Sequence, residues 1–124
     1  MKQSILLLFL CTAFISTKAQ LANTNWKGTI QGDQPIDVVF HFAQDTLKVE
    51  NIGDASTLEV LAYSAKDSLV TLQKVYGQSD CDAAAVGQYK YAIKNNEVTF
   101  MLITDGCEQR SAVLNNTKWT KVQQ

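Results

Sequence analysis

Apolar and polar residues alternate with a period of two along most of the chain, which is the pattern of strands that bury one face. The runs that carry it are 26–31, 36–42, 47–50, 57–63, 68–75, 88–94, 97–103 and 117–122. Clusters of turn-forming residues separate them at 32–35, 43–45, 53–54 and 65–67. The pair Asn95-Asn96 predicts a tight hairpin. The sequence therefore predicts eight short strands joined in order by hairpins.

Eight strands are enough for an antiparallel sheet to close on itself, and closure removes the exposed sheet edges. We predict an all-β fold, an eight-stranded antiparallel up-and-down β-barrel, with an open two-sheet sandwich as the alternative. A short helix is expected over 106–114, before the last strand. Asp105 would be its N-cap and Glu108, three residues later, would complete a capping box.

The first nineteen residues have the layout of a secretory signal. Lys2 gives a positive start, 5–15 is an almost unbroken apolar run, and Thr17 and Ala19 are small residues before a cleavage site. We expect cleavage after Ala19, with 20–124 as a single exported domain in the periplasm or outside the cell. A lipid anchor at Cys11 is the minority alternative, because Cys11 lies inside the apolar run.

Charge and hydropathy restrict the partners of the mature chain. Two of the 11 Lys and Arg residues lie in the signal, so 9 basic residues face 12 acidic ones and the net charge is −3. With no basic cluster, nucleic acid is not an expected partner. No further apolar run is long enough to form a transmembrane helix, so no transmembrane segment is expected in the mature chain.

Cleavage would remove Cys11 and leave an even pair, Cys81 and Cys107. In an oxidising compartment a disulfide is the default interpretation of such a pair. A metal site is the rival interpretation, but His41 is the only histidine and no other ligand set is evident. We therefore expect no metal and no cofactor.

The segment 25–28, Asn-Trp-Lys-Gly, resembles the first strand of calycin barrels, the superfamily of lipocalins and fatty-acid-binding proteins. The order of Cys81, 87–89, 98–100, 105–107, Arg110, Leu114 and Trp119 is similar to small secreted bacterial lipocalin-like domains. This resemblance implies a structural role for Trp26, Arg110 and Trp119, in which Arg110 packs over Trp26 and closes one end of the barrel. With 105 mature residues, the interior is expected to be shallow.

Aromatic residues supply the strongest candidate for a binding site. Phe40, Phe42, Tyr89, Tyr91 and Phe100 share the inward phase of their strands, and they would line an apolar pocket in the barrel mouth. The alternative is that they form a packed core.

No catalytic residues are predicted. His41 has the outward phase of its strand, and no nucleophile–base–acid arrangement is evident, so an enzyme is not expected. Asp80 and Asp82 are interpreted as turn residues, because two carboxylates are too few for calcium.

Three functions remain open at this stage, of which an isomerase or cyclase housed in the barrel ranks last, because no acid–base pair is identifiable. The first is an exported binding module for a small apolar or amphipathic ligand. The second is a protein-interaction, inhibitor or envelope protein with a filled barrel and an unknown protein partner. The size of the interior cavity distinguishes these two.

Overall fold

The computed structural model describes residues 20–123, in which an antiparallel sheet closes into a barrel. The predicted signal peptide, residues 1–19 with Cys11, lies outside the described residues. The strands are β1 (Thr24–Ile30), β2 (Ile36–Phe42), β3 (Thr46–Asn51), β4 (Thr57–Lys66), β5 (Leu69–Gly77), β6 (Val86–Lys94), β7 (Glu97–Asp105) and β8 (Thr117–Lys121). A helix, α1 (Glu108–Leu114), precedes β8. Within 20–123, no helix combines the length and apolar character that crossing a bilayer requires.

Each strand pairs with the next in sequence, and the last pairs with the first. The closing contact joins Trp26 to Lys121 and Lys27 to Thr120. The predicted eight-stranded barrel with a short helix before the last strand is therefore confirmed, and the two-sheet sandwich is wrong. Closure pairs the backbone groups that a flat sheet would leave exposed along its edges.

Two hairpins have the left-handed backbone that tight turns need. Asn95 and Asn96 have φ values of 53° and 62°, as a type I′ turn requires, so the hairpin predicted there is confirmed. Asp67 and Ser68 have φ values of 52° and 67°. The turn expected at 65–67 is thus shifted, because β4 continues to Lys66 and pairs there with Leu69.

The helix begins later than predicted. Its N-cap is Cys107, and no side chain caps it; Asp105 is still the last residue of β7. The capping box predicted for Asp105 and Glu108 is therefore wrong. The carboxylate of Asp105 is instead engaged by the backbone N–H of Cys107, at 2.8 Å, and by the side chain of Arg110.

Inward-facing residues of all eight strands fill the middle of the barrel. We call the end of the barrel beside α1 the helix end and the opposite end, where the chain enters β1, the entry end. Leu21 is buried at the entry end, where its carbonyl accepts a hydrogen bond from Thr24 Oγ1. The core consists of Leu21, Trp26, Val38, Phe40, Phe42, Leu47, Val49, Leu61, Tyr63, Val70, Leu72, Tyr89, Val98, Phe100, Leu114 and Trp119.

Candidate functional site

A cavity of about 300 Å³ opens at the helix end of the barrel. Most of its wall is aliphatic, with one aromatic ring. The apolar residues that line it are Ile30, Ile36, Phe40, Leu47, Val49, Leu58, Leu61, Leu72, Val113 and Leu114. The polar residues that line it are Glu59, Gln78, Ser79, Gln109 and Arg110, and Cys81 also contributes. The cavity is thus an apolar space with polar groups supplied by β4, by the loop after β5 and by α1.

Arg110 is held in the cavity wall by a buried ion pair with Asp105. Its Nε donates to Asp105 Oδ2 at 2.8 Å and its Nη2 donates to Oδ1 at 2.7 Å, a bidentate arrangement. The Tyr89 hydroxyl donates to the same carboxylate, and Nη2 also donates to the Ala85 carbonyl at 3.0 Å. The side chains of Arg110 and Asp105 are only 5% and 0% exposed. The guanidinium orientation is therefore fixed by the protein itself.

Glycine at position 87 makes room for this ion pair. A Cβ there would lie 2.5 Å from Asp105 Oδ2 and 3.0 Å from Arg110 Nε, closer than side chains approach. Gly87 pairs with Asp105 across β6 and β7, so the carboxylate passes over the glycine backbone. Any larger residue would push the carboxylate away from the guanidinium.

The pKa values of the three groups follow from this geometry. Burial alone would raise the pKa of Asp105, but hydrogen bonds from Arg110, Tyr89 and the Cys107 N–H bring it below the ordinary value. Burial alone would lower the pKa of Arg110, but its hydrogen bonds to Asp105 and the negative charge of that carboxylate raise it. Burial, with the bond to Asp105, raises the pKa of Tyr89. At neutral pH the pair is therefore an ionised carboxylate and an ionised guanidinium.

Stability should fall at acidic pH because of Asp105. Its folded pKa lies below the ordinary value of 3.8, so its stabilising contribution is fully present above that value. As the pH falls further, protonation of Asp105 progressively removes this contribution, and it is lost once the pH lies below the folded pKa. We expect the free energy of unfolding, measured with urea from neutral pH downwards, to decline in the parent protein. In Asp105→Asn it should decline less steeply. An identical pH dependence in the variant would contradict this expectation.

The predicted aromatic lining is divided between the two ends of the barrel. Phe40 lines the cavity at the helix end, whereas Tyr91 lines a second cavity of about 310 Å³ at the entry end. Phe42, Tyr89 and Phe100 are buried in the core between them. The structure therefore does not bring the five residues together as one pocket. The entry-end cavity is more polar, and its wall contains Gln20, Leu21, Ala22, Gln44, Tyr63, Ala65, Lys66, Asp67, Ser68 and Tyr91.

The two tryptophans are both buried, as expected for structural residues, but they have different neighbours. Trp119 stacks on Phe40, with ring centroids 4.0 Å apart, and its ring lies where a Cβ on Gly28 would be. Trp26 donates from its indole nitrogen to Thr24 Oγ1 at 2.8 Å, towards the entry end. The partner that the structure gives to the Arg110 guanidinium is a carboxylate, not the indole of Trp26.

Cys81 and Cys107 form a disulfide, with their Cα atoms 5.3 Å apart, and the predicted pairing is confirmed. The bond ties the irregular segment after β5 to the N-cap of α1. Asp80 N–H donates to Gln109 Oε1 at 2.8 Å and adds a second link. The segment and the helix together form one side of the cavity mouth.

Replacing both cysteines with serine should lower the free energy of unfolding by about 2–4 kcal/mol without abolishing the fold, because the bond closes a loop with a sequence separation of 26. Urea unfolding with and without reductant measures the loss. Thiol titration of the native mature protein should find no reactive group. Two reactive thiols would contradict the prediction.

Neither His41 nor the loop aspartates Asp80 and Asp82 line the cavity at the helix end. His41 is on the outer face of β2, where its Nδ1 is 2.7 Å from Asn25 Oδ1 and its Nε2 is 3.6 Å from Glu50 Oε2. Asp82 accepts a hydrogen bond from the Ala84 N–H and so acts as a turn residue. Within 20–123, no group of three or more His, Cys, Asp or Glu side chains could hold a metal ion.

The sequence patterns did not lead to two parts of the site, the aliphatic cavity wall and the ion pair between Asp105 and Arg110. The cavity wall is mostly aliphatic, and Leu47 and Val49 already showed the inward phase of β3. The ion pair also had a signal, since Arg110 shares one face of a helix with Val113 and Leu114, at the spacing of positions i, i+3 and i+4. That face had to be buried, so the arginine on it needed a carboxylate partner.

The architecture is compatible with the calycin-like fold that the sequence resembles, since eight antiparallel strands close in sequence order. Comparison of the chain with protein-family models, with curated proteins and with solved structures finds no match.

Proposed function

We propose that residues 20–124 form an exported binding module that holds a small apolar or amphipathic molecule in the cavity at the helix end. Export is proposed from the signal-like segment 1–19, and the disulfide agrees with an oxidising compartment. Binding is proposed because most of the cavity wall is aliphatic and the sequence predicts no catalytic residues.

The observation that carries this proposal is the cavity itself. Its volume of about 300 Å³ reaches the lower limit of ordinary ligand pockets, about 300–1,000 Å³. Its wall is aliphatic, and burying apolar ligand surface there is favourable by about 25 cal/mol per Å². A few polar groups at one side, Arg110 and Glu59 among them, are what orients an amphipathic molecule in such a pocket.

A second candidate function is protein interaction through the outside of the barrel. Five large apolar residues on β5 and β7 are exposed: Val75, Tyr76, Met101, Leu102 and Ile103. Exposed apolar surface of this kind is typical of interaction sites when it is continuous. A filled interior would favour this candidate over ligand binding.

Binding of the uncharged fluorescent probe phenylnaphthylamine tests the first function. We expect about one site per chain, and the substitution Val113→Trp should weaken binding by about tenfold or more, because the indole would occupy the cavity. Ala112→Trp is the matched control, since Ala112 is exposed on the same helix and should leave the affinity unchanged. Absence of probe binding, or equal binding by the two variants, would argue for the second function.

A further inference from the structure

One nitrogen of the Arg110 guanidinium has no partner. Nε and Nη2 are engaged by Asp105 and by the Ala85 carbonyl, whereas Nη1 is buried without a hydrogen bond. A buried donor left unpaired is destabilising, and more so when the group is charged. Because Arg110 lines the cavity and is 94% buried, with 6% of its surface exposed, an acceptor supplied from the cavity would remove this cost.

The charges around this nitrogen do not favour an anion. The Asp105 carboxylate already neutralises Arg110 through a bidentate bond. A second carboxylate, Glu59, lines the same cavity and is held by the backbone N–H of Ser79 at 3.1 Å and by Ser79 Oγ at 2.5 Å. Glu59 and Arg110 line the cavity and Asp105 lies directly behind Arg110, so these three side chains bring one positive and two negative charges to this site. An anionic group would therefore meet net repulsion in a poorly solvated space.

From these two observations we infer that the ligand carries an uncharged hydrogen-bond acceptor, such as an ester or ketone oxygen, which accepts a hydrogen bond from Arg110 Nη1. The inference rests on the proposed binding function and names the chemical class of the molecule bound. Arginine has donors only, so its partner must be an acceptor. An apolar chain attached to that oxygen would lie against the aliphatic wall.

Competition for phenylnaphthylamine between methyl decanoate and decanoate, at neutral pH, is the first test. The ester should displace the probe at a concentration about tenfold or more below that of the carboxylate. A carboxylate that competes as well as the ester would overturn the inference. Failure of the probe itself to bind would instead overturn the proposed function, so the two failures are distinguishable.

The variant Glu59→Gln separates charge repulsion from the greater water solubility of decanoate. Glutamine has the same shape and keeps an acceptor for Ser79, but it removes one negative charge from the wall. We expect decanoate to bind several-fold better to this variant, with methyl decanoate changed by less than about twofold. A ratio of affinities equal to that of the parent would show that solubility alone sets the preference, which would overturn the inference.

The guanidinium signals of Arg110 provide a direct measurement, because it is the chain's single arginine. In nitrogen-15 NMR spectra, methyl decanoate should shift these signals. Decane, which should also displace the probe but has no acceptor, should leave them in place. Equal spectra with the two ligands would mean that Arg110 does not receive the polar group, and the inference would be wrong.

Discussion

Asp105→Asn should lower the free energy of unfolding by about 3–5 kcal/mol, because it leaves Arg110 as an uncompensated buried charge. The carboxylate accepts hydrogen bonds from the Arg110 side chain, the Tyr89 hydroxyl and the Cys107 N–H. Asparagine has one acceptor oxygen in place of two, and its NH2 group, itself a donor, would face the guanidinium donors. The loss is measured by urea unfolding followed by far-ultraviolet circular dichroism.

Asp80→Asn is the matched control for this prediction. Asp80 lies in the same part of the molecule but is exposed, so its replacement should change the free energy of unfolding by less than about 0.5 kcal/mol. A loss below about 1 kcal/mol for Asp105→Asn would mean that the ion pair is not what holds Arg110 in the cavity wall.

Trp119→Ala should cost about 3–5 kcal/mol, as truncation of large buried aromatic residues does. The indole is 2% exposed, stacks on Phe40 and covers Gly28. Its indole nitrogen also donates to Thr117 Oγ1 at 2.9 Å. Alanine would remove the stack and leave a void between β1, β2 and β8. Urea unfolding monitored by circular dichroism measures the effect without relying on tryptophan fluorescence.

Lys118→Ala is the control for Trp119, since Lys118 is the exposed neighbour on the same strand. It should leave stability within about 0.5 kcal/mol of the parent. The free energy of unfolding of Trp119→Phe should lie between those of Trp119→Ala and Lys118→Ala, because the smaller ring keeps part of the stack on Phe40. A Trp119→Ala variant as stable as Lys118→Ala would show that Trp119 is not part of the packed core.

The outer surface of β7 shows a limit of the period-two pattern. The phase of Val98 and Phe100 predicted Leu102 inside and Met101 outside, but both are exposed, Leu102 by 39%. The pairing with β6 stays regular through Leu102, which lies opposite Tyr89, and the register shifts at the next residue, Ile103, which has no partner on β6. A bulge depends on two strands at once, and one strand's sequence does not contain it.

The candidate site at the helix end illustrates the same limit. The inward phase of the aromatic residues followed from their strands, but phase alone does not give their height along the barrel axis. Phe40 and Tyr91 are both directed inwards and still lie at opposite ends. Whether an inward residue lines a cavity or fills the core depends on what the facing strands place at the same level.

The local sequence by itself determined the strands, the Asn95-Asn96 hairpin and the number of strands that permits closure. These features depend on alternation and on backbone preferences, which act between residues close in the chain. Only the tertiary structure decided that the barrel keeps a cavity beside α1 and that Asp105 pairs with Arg110 instead of capping the helix. Both depend on packing volumes and on the desolvation of charge. Asp105 and Arg110 are only five residues apart, but Tyr89 and Ala85, which complete their hydrogen bonds, come from other parts of the chain.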